Sequence, residues 1–129
     1  MKHPSIVQLL HDDFRFLIDD AGFAVSDLDV NHAMLKRDDL SIALRWDAKD
    51  DCFCVVLFRE DCLHRFYPLV DYLDYFDNRH TRHVREIPSA HEQATRLRIY
   101  LPQIASMLRA ENDCPEWREF DLFHQLKRS

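Results

Sequence analysis

The chain has 129 residues with 47% apolar and 31% charged content, four cysteines and a formal net charge of −6. Such a chain is one domain able to bury its own core without disulfide or metal staples. It contains no apolar run near the roughly 20 residues that span a bilayer. Its opening, Met-Lys-His-Pro-Ser-Ile, lacks the apolar stretch of a secretory signal, so a cytoplasmic protein with reduced thiols is expected.

Pro4 and Ser5 predict a helix start. Ile6, Leu9, Leu10, Phe14, Leu17, Ile18 and Ala21 then recur at intervals of three and four, the stripe of one amphipathic helix. Gly22, the chain's single glycine, occupies the position of a left-handed helix terminator, with Phe23 free to fold back on Ile18. Phe23 to Val30 is a weak strand candidate, broken by Asp27 and Asp29, and His32 to Lys36 is a stronger one. In Leu40-Ser-Ile-Ala-Leu-Arg-Trp-Asp47, residues Leu40, Ile42, Leu44 and Trp46 share one face, the period of two of a half-buried strand. Cys52 to Phe58 is apolar on both faces and suits an interior strand. The short polar link Ala48 to Asp51 predicts an antiparallel hairpin closed by a type I turn.

Arg59 to Tyr67 is expected to be a connection or an irregular edge. Pro68 fits the first turn of a short helix with Leu69, Val70, Leu73 and Phe76 inward and Asp71, Asp74 and Asp77 opposite. Asn78 to Glu86 reads as a polar loop. Ser89-Ala-His-Glu92 is a capping box, opening a helix that carries Ala90, Ala94, Leu97, Leu101, Ile104, Ala105 and Leu108 on one face. Pro102 predicts a kink near Arg98 to Leu101. Asp113 caps a last helix with Trp117, Phe120 and Phe123 inward. The expected fold is α+β: an N-terminal helix, an antiparallel meander of three or four strands, then three C-terminal helices on one sheet face.

Charge is uneven. Residues 1–77 hold 16 acids against 8 bases, and residues 78–129 hold 7 against 9. An acidic balance makes a basic protein surface the expected partner, with no role for nucleic acid or membrane. Asp19, Asp20, Asp74 and Asp77 also crowd helix C-terminal ends, where an anion costs about 0.3–1 kcal/mol. With Asp71 they form the candidate partner-binding set, a surface kept acidic for a monomer or homodimer to present.

Other chemistry is less supported. Cys52-x-Cys54, Cys62-x-His64 and His80-x-x-His83 lack the paired knuckles of a closed zinc site, and Cys52 and Cys54, on one face of a strand, read as small apolar residues. Cys62 with His64, or Cys114 with His124, would serve a cysteine-dependent enzyme, but no motif surrounds either pair. Position 95 is Thr, so His91-Glu92 is no HExxH site, and one glycine cannot make a phosphate loop. Arg79 to Arg85 is basic without interleaved aromatic residues, which suits neutralising Asp77 better than holding a nucleic acid. No catalytic residue, metal or cofactor is expected.

The run from Met34 to Leu57, following Phe16-Leu-Ile-Asp-Asp-Ala-Gly-Phe23, resembles small bacterial α+β proteins, some of them grouped with immunity proteins of toxin systems. The likeness covers about the first half of the chain and is one of pattern. It implies a non-catalytic protein that binds and blocks a toxin, and it carries over no functional residue. The alternatives are a chaperone of the type III secretion kind and a small cysteine/histidine enzyme.

Overall fold

The computed structural model describes residues 5–47, 52–59, 62–76, 89–109, 119–120 and 122, without the side chains of 62–66 and 109. Where one N-terminal helix was expected there are two, α1 (Ile6–His11) and α2 (Arg15–Asp19). Ser5 caps α1 through a 3.1 Å bond from the Gln8 amide to its hydroxyl. The break falls on Asp12-Asp13, side chains that compete with the helix for backbone donors. Asp12 leaves helical geometry at ψ −86°, and the Phe14 amide reaches back to the Leu9 carbonyl instead (2.8 Å). The detour drives Phe14 fully into the core, against Phe53 at 5.4 Å between ring centroids. Gly22 takes the expected left-handed φ of +79°. Phe23 then donates its amide to the Leu17 carbonyl and lies buried, with the Arg37 guanidinium 4.8 Å above its ring.

Five strands follow: β1 (Ala24–Leu28), β2 (His32–Arg37), β3 (Leu40–Asp47), β4 (Cys52–Arg59) and β5 (Cys62–Pro68), one antiparallel sheet in chain order. The β3–β4 pairing runs from Leu40↔Arg59 to Asp47↔Cys52, and its connecting turn lies outside the described residues. Both of the weaker sheet segments form edge strands. The weak Phe23–Val30 segment is a true edge strand, because an edge tolerates Asp27 behind a bulge at Val25/Asp27. Of the two readings of Arg59–Tyr67, a connection or an irregular edge, the second holds: β5 is an edge strand, irregularly paired where the register shifts between Leu57 and Arg59. Pro68 ends that strand instead of opening the helix, which begins at Leu69.

Directly paired residues share a sheet face. Leu35, Ile42 and Leu57 are therefore neighbours, as are Ala33, Leu44 and Val55, and all six are buried. The helices cover this face: α1, α2, α3 (Leu69–Phe76) and α4 (Ala90–Arg109). Ser89 caps α4 with a 3.1 Å bond from the Glu92 amide, and Ala94, Leu97, Leu101, Ile104, Ala105 and Leu108 are buried as their spacing predicts. Gln93 adds a buried tie, its amide donating to the Phe53 carbonyl at 2.8 Å. The helix runs unbroken through Pro102. Of the last predicted helix, residues 119, 120 and 122 are described and helical. Phe120 is fully buried, stacked on Tyr72 at 4.8 Å and edge-on to Tyr67 at 5.0 Å, while Trp117 and Phe123 lie outside the described residues. Among the described residues, no helix is long and apolar enough to cross a membrane.

Candidate protein-binding surface

The acidic set does not form one face. Asp19 closes α2 and holds Arg15 at 2.9 Å across one turn, both half exposed. Asp20 caps the same helix and lies 3.4 Å from Arg98, a counter-charge that comes from α4. Asp71 is half buried and Asp74 is 4% exposed. The placement of Asp74 opposite the core is therefore corrected. Leu69, Tyr72 and Leu73 point inward, and Asp74, one position round from Leu73, is carried under with them. It cannot face a partner. Asp77 and the basic stretch Arg79 to Arg85 lie outside the described residues.

Sequence reasoning missed the surface on which Asp19 sits. Val7 is 56% exposed, Ile18 39% and Val25 41%. With Leu10 beneath them they floor a groove of about 410 Å³ between α1, α2 and β1, flanked by His11, Arg15 and Asp19. Val25 belongs here because it pairs with Leu35 and so shares the helix-bearing face, but at the sheet edge no helix reaches over it. Leu28 extends the apolar strip along β1, exposed like the rest. The chain segment that builds the groove is acidic in sequence, with six aspartates and one arginine in residues 5–30, of which Asp19 and Arg15 line it directly. Val7 falls outside the stripe that defines the buried side of α1, but Ile18 was expected within that stripe, and the separate α2 turns it outward to 39% exposure.

The chemical candidates resolve unevenly. Cys52 and Cys54 share a face as expected, with sulfurs 3.8 Å apart. They lie on the side of the sheet opposite Phe53 and are half buried, so they are not core residues. Burial, then the neighbouring Cys52 sulfur and the Asp47 charge, push the Cys54 thiol up to about 11 from an ordinary 9.0. That disfavours the thiolate a nucleophile or metal ligand needs. Among the described residues, no group of three or more His, Cys, Asp or Glu is placed to hold a metal ion. His91 meets Asp13 at 2.9 Å, and the Thr95 hydroxyl one turn on donates to the His91 carbonyl. The side chains of Cys62 and His64, and residues His80, His83, Cys114 and His124, lie outside the described set.

No protein-family model matches the chain, and no curated protein or solved structure matches it.

Proposed function

We propose that this protein is a non-catalytic binding domain of immunity type, and that its partner is a protein with a basic surface seated on the α1–α2–β1 groove. The observation that carries the reading is the coincidence of an open apolar floor (Val7, Ile18, Val25) with the most one-sidedly charged stretch of the chain. An exposed apolar patch with a charged rim is the usual form of a protein contact. Its apolar centre would supply affinity and its aspartates the association rate and the choice of partner. A second copy added strand to strand along β1 is disfavoured. The bulge at Val25/Asp27 distorts that edge, and two copies would bring Asp27 and Asp29 against their equivalents.

The test is capture from a lysate of the native host, followed by identification and binding measurements with the purified partner. The reading expects a basic protein whose affinity falls steeply with salt. It also expects the triple variant Val7→Asp, Ile18→Asp, Val25→Asp to lose the complex while keeping the wild-type circular dichroism spectrum. An acidic partner, or a complex indifferent to the triple variant, contradicts it.

A further inference from the structure

A second concavity lies on the other side of α2. Phe16, Asp20 and Ala21 form one wall, Leu101, Pro102 and Ala105 of α4 the other, with Arg37, Arg98 and Ser106 completing a cleft of about 900 Å³. That volume lies within the roughly 300–1,000 Å³ of small-molecule sites. Its charge runs against the protein's. In a chain of net charge −6, the cleft holds two guanidiniums and one carboxylate.

The two cations are set differently, Arg37 tied to the backbone and Arg98 two-thirds exposed. Arg37 spans from β2 to donate to the Ala21 carbonyl and lies over the Phe23 ring at 4.8 Å. Its Nε is buried with no acceptor, and no carboxylate pairs with it among the described residues. Arg98 lies 5.7 Å over the Phe16 ring, and its one carboxylate contact, Asp20, is long at 3.4 Å and solvent-exposed. A guanidinium lying over an aromatic ring keeps its donor edge available to an anion. Pro102 contributes differently. Its ring, which has no backbone N–H to offer, gives the α4 wall an apolar surface. Phe16, Leu101 and Ala105 leave the rest of the lining apolar.

We infer that the cleft between α2 and α4 binds a small organic anion with an apolar body, its carboxylate or phosphate head held by Arg37 and Arg98. The head group replaces the long Asp20 contact on Arg98 and supplies the counter-charge that Arg37 lacks, while the body lies on Phe16, Leu101 and Ala105. This site does not rest on the protein-binding reading and is separated from that groove by α2 itself.

The experiment is titration of the ¹⁵N-labelled full chain with octanoate, octyl phosphate, octanol, octylamine and inorganic phosphate. Octanoate or octyl phosphate should shift amides at Ala21, Arg37 and Arg98 to Ser106, and the tighter of the two identifies the head group. Octanol, octylamine and inorganic phosphate should each bind at least about tenfold more weakly, as expected when a charge-assisted bond or the apolar body is missing. Arg98→Gln should weaken octanoate about tenfold or more. Ser106→Trp, at an exposed position on the cleft wall, should block it without touching the core. Octanol binding as well as octanoate, inorganic phosphate matching octyl phosphate, or Ser106→Trp leaving affinity unchanged would overturn the inference.

Discussion

The two sides of α2 carry opposite chemistry within one short helix. Arg15, Ile18 and Asp19 line the outer groove, whereas Phe16 and Asp20 line the inner cleft. The outer side has an apolar floor, aspartates around it and one arginine already neutralised across a helical turn. The inner side has two arginines over aromatic rings, and among the described residues only Arg98 lies near a carboxylate. Charge that is paired locally on an exposed helix contributes little and constrains little. Charge clamped over an aromatic ring and left under-neutralised is arranged to meet something. The first side suits a broad protein contact steered by charge, the second a small anion.

That contrast depends on α2 being a separate helix, and Phe14 is what separates it. Phe14→Ala removes a fully buried ring at the α1–α2 break. It should cost about 3–5 kcal/mol in chemical denaturation and erase both sites together; loss of one site alone would show that they are not built on a common wall. A comparison region is the opposite sheet face, where Cys54 is half buried beside Cys52 and Asp47. With its thiol raised to about 11, Cys54 in a Cys52→Ser, Cys62→Ser, Cys114→Ser background should alkylate at pH 8 up to about 100-fold more slowly than an ordinary thiol. Removing Cys52 takes away part of the cause, so the slowing there sets a lower bound. The sign in the wild type follows from the raised value. The unfolded chain releases this proton first, so the stabilisation is complete below about pH 9 and is lost as pH rises towards 11. Fast labelling at pH 8 would contradict a Cys54 thiol held protonated by its surroundings.

Gly22 joins the two sides. At φ +79° an alanine is strained although its Cβ would meet only Arg37 Cδ at 3.6 Å, so Gly22→Ala should cost about 1–2 kcal/mol. The same variant should weaken octanoate binding, because Arg37 is anchored on Ala21 next to it. The smallest effect is the most selective. Asp19→Lys breaks an exposed pair with Arg15 and should change stability by under about 0.5 kcal/mol. It should slow association of a cationic amphipathic peptide several-fold and leave octanoate binding untouched.

Much of the frame was legible before any coordinates. The Ser5 and Ser89 caps, the left-handed Gly22 and the α4 stripe all follow from spacing and backbone chemistry, and each is found in place, whereas β3, expected to be half buried, is buried on both faces from Leu40 to Leu44. The α1–α2 break was not legible, because Phe14 continues the three-and-four rhythm whether the helix is whole or bent. The edge strands were under-read because pairing with a neighbour decides them, and an aspartate on a free edge costs little. Asp74 was misplaced for a related reason: a helical pattern ranks faces by hydropathy and cannot foresee a carboxylate carried into the interior. The inner cleft was invisible. Arg37 over Phe23 and Arg98 over Phe16 unite distant parts of the chain, and no local spacing announces either pair.

The most direct test uses one ¹⁵N-labelled sample and two probes, octanoate and a cationic leucine/lysine helical peptide, with amide shifts recorded for each. Two separate sets are predicted: octanoate moving residues around Ala21, Arg37 and Leu101, and the peptide moving those around Val7, Ile18 and Val25. The two ligands should also bind simultaneously. A single shared set of shifts, or competition between the probes, would contradict a helix with opposite chemistry on its two sides.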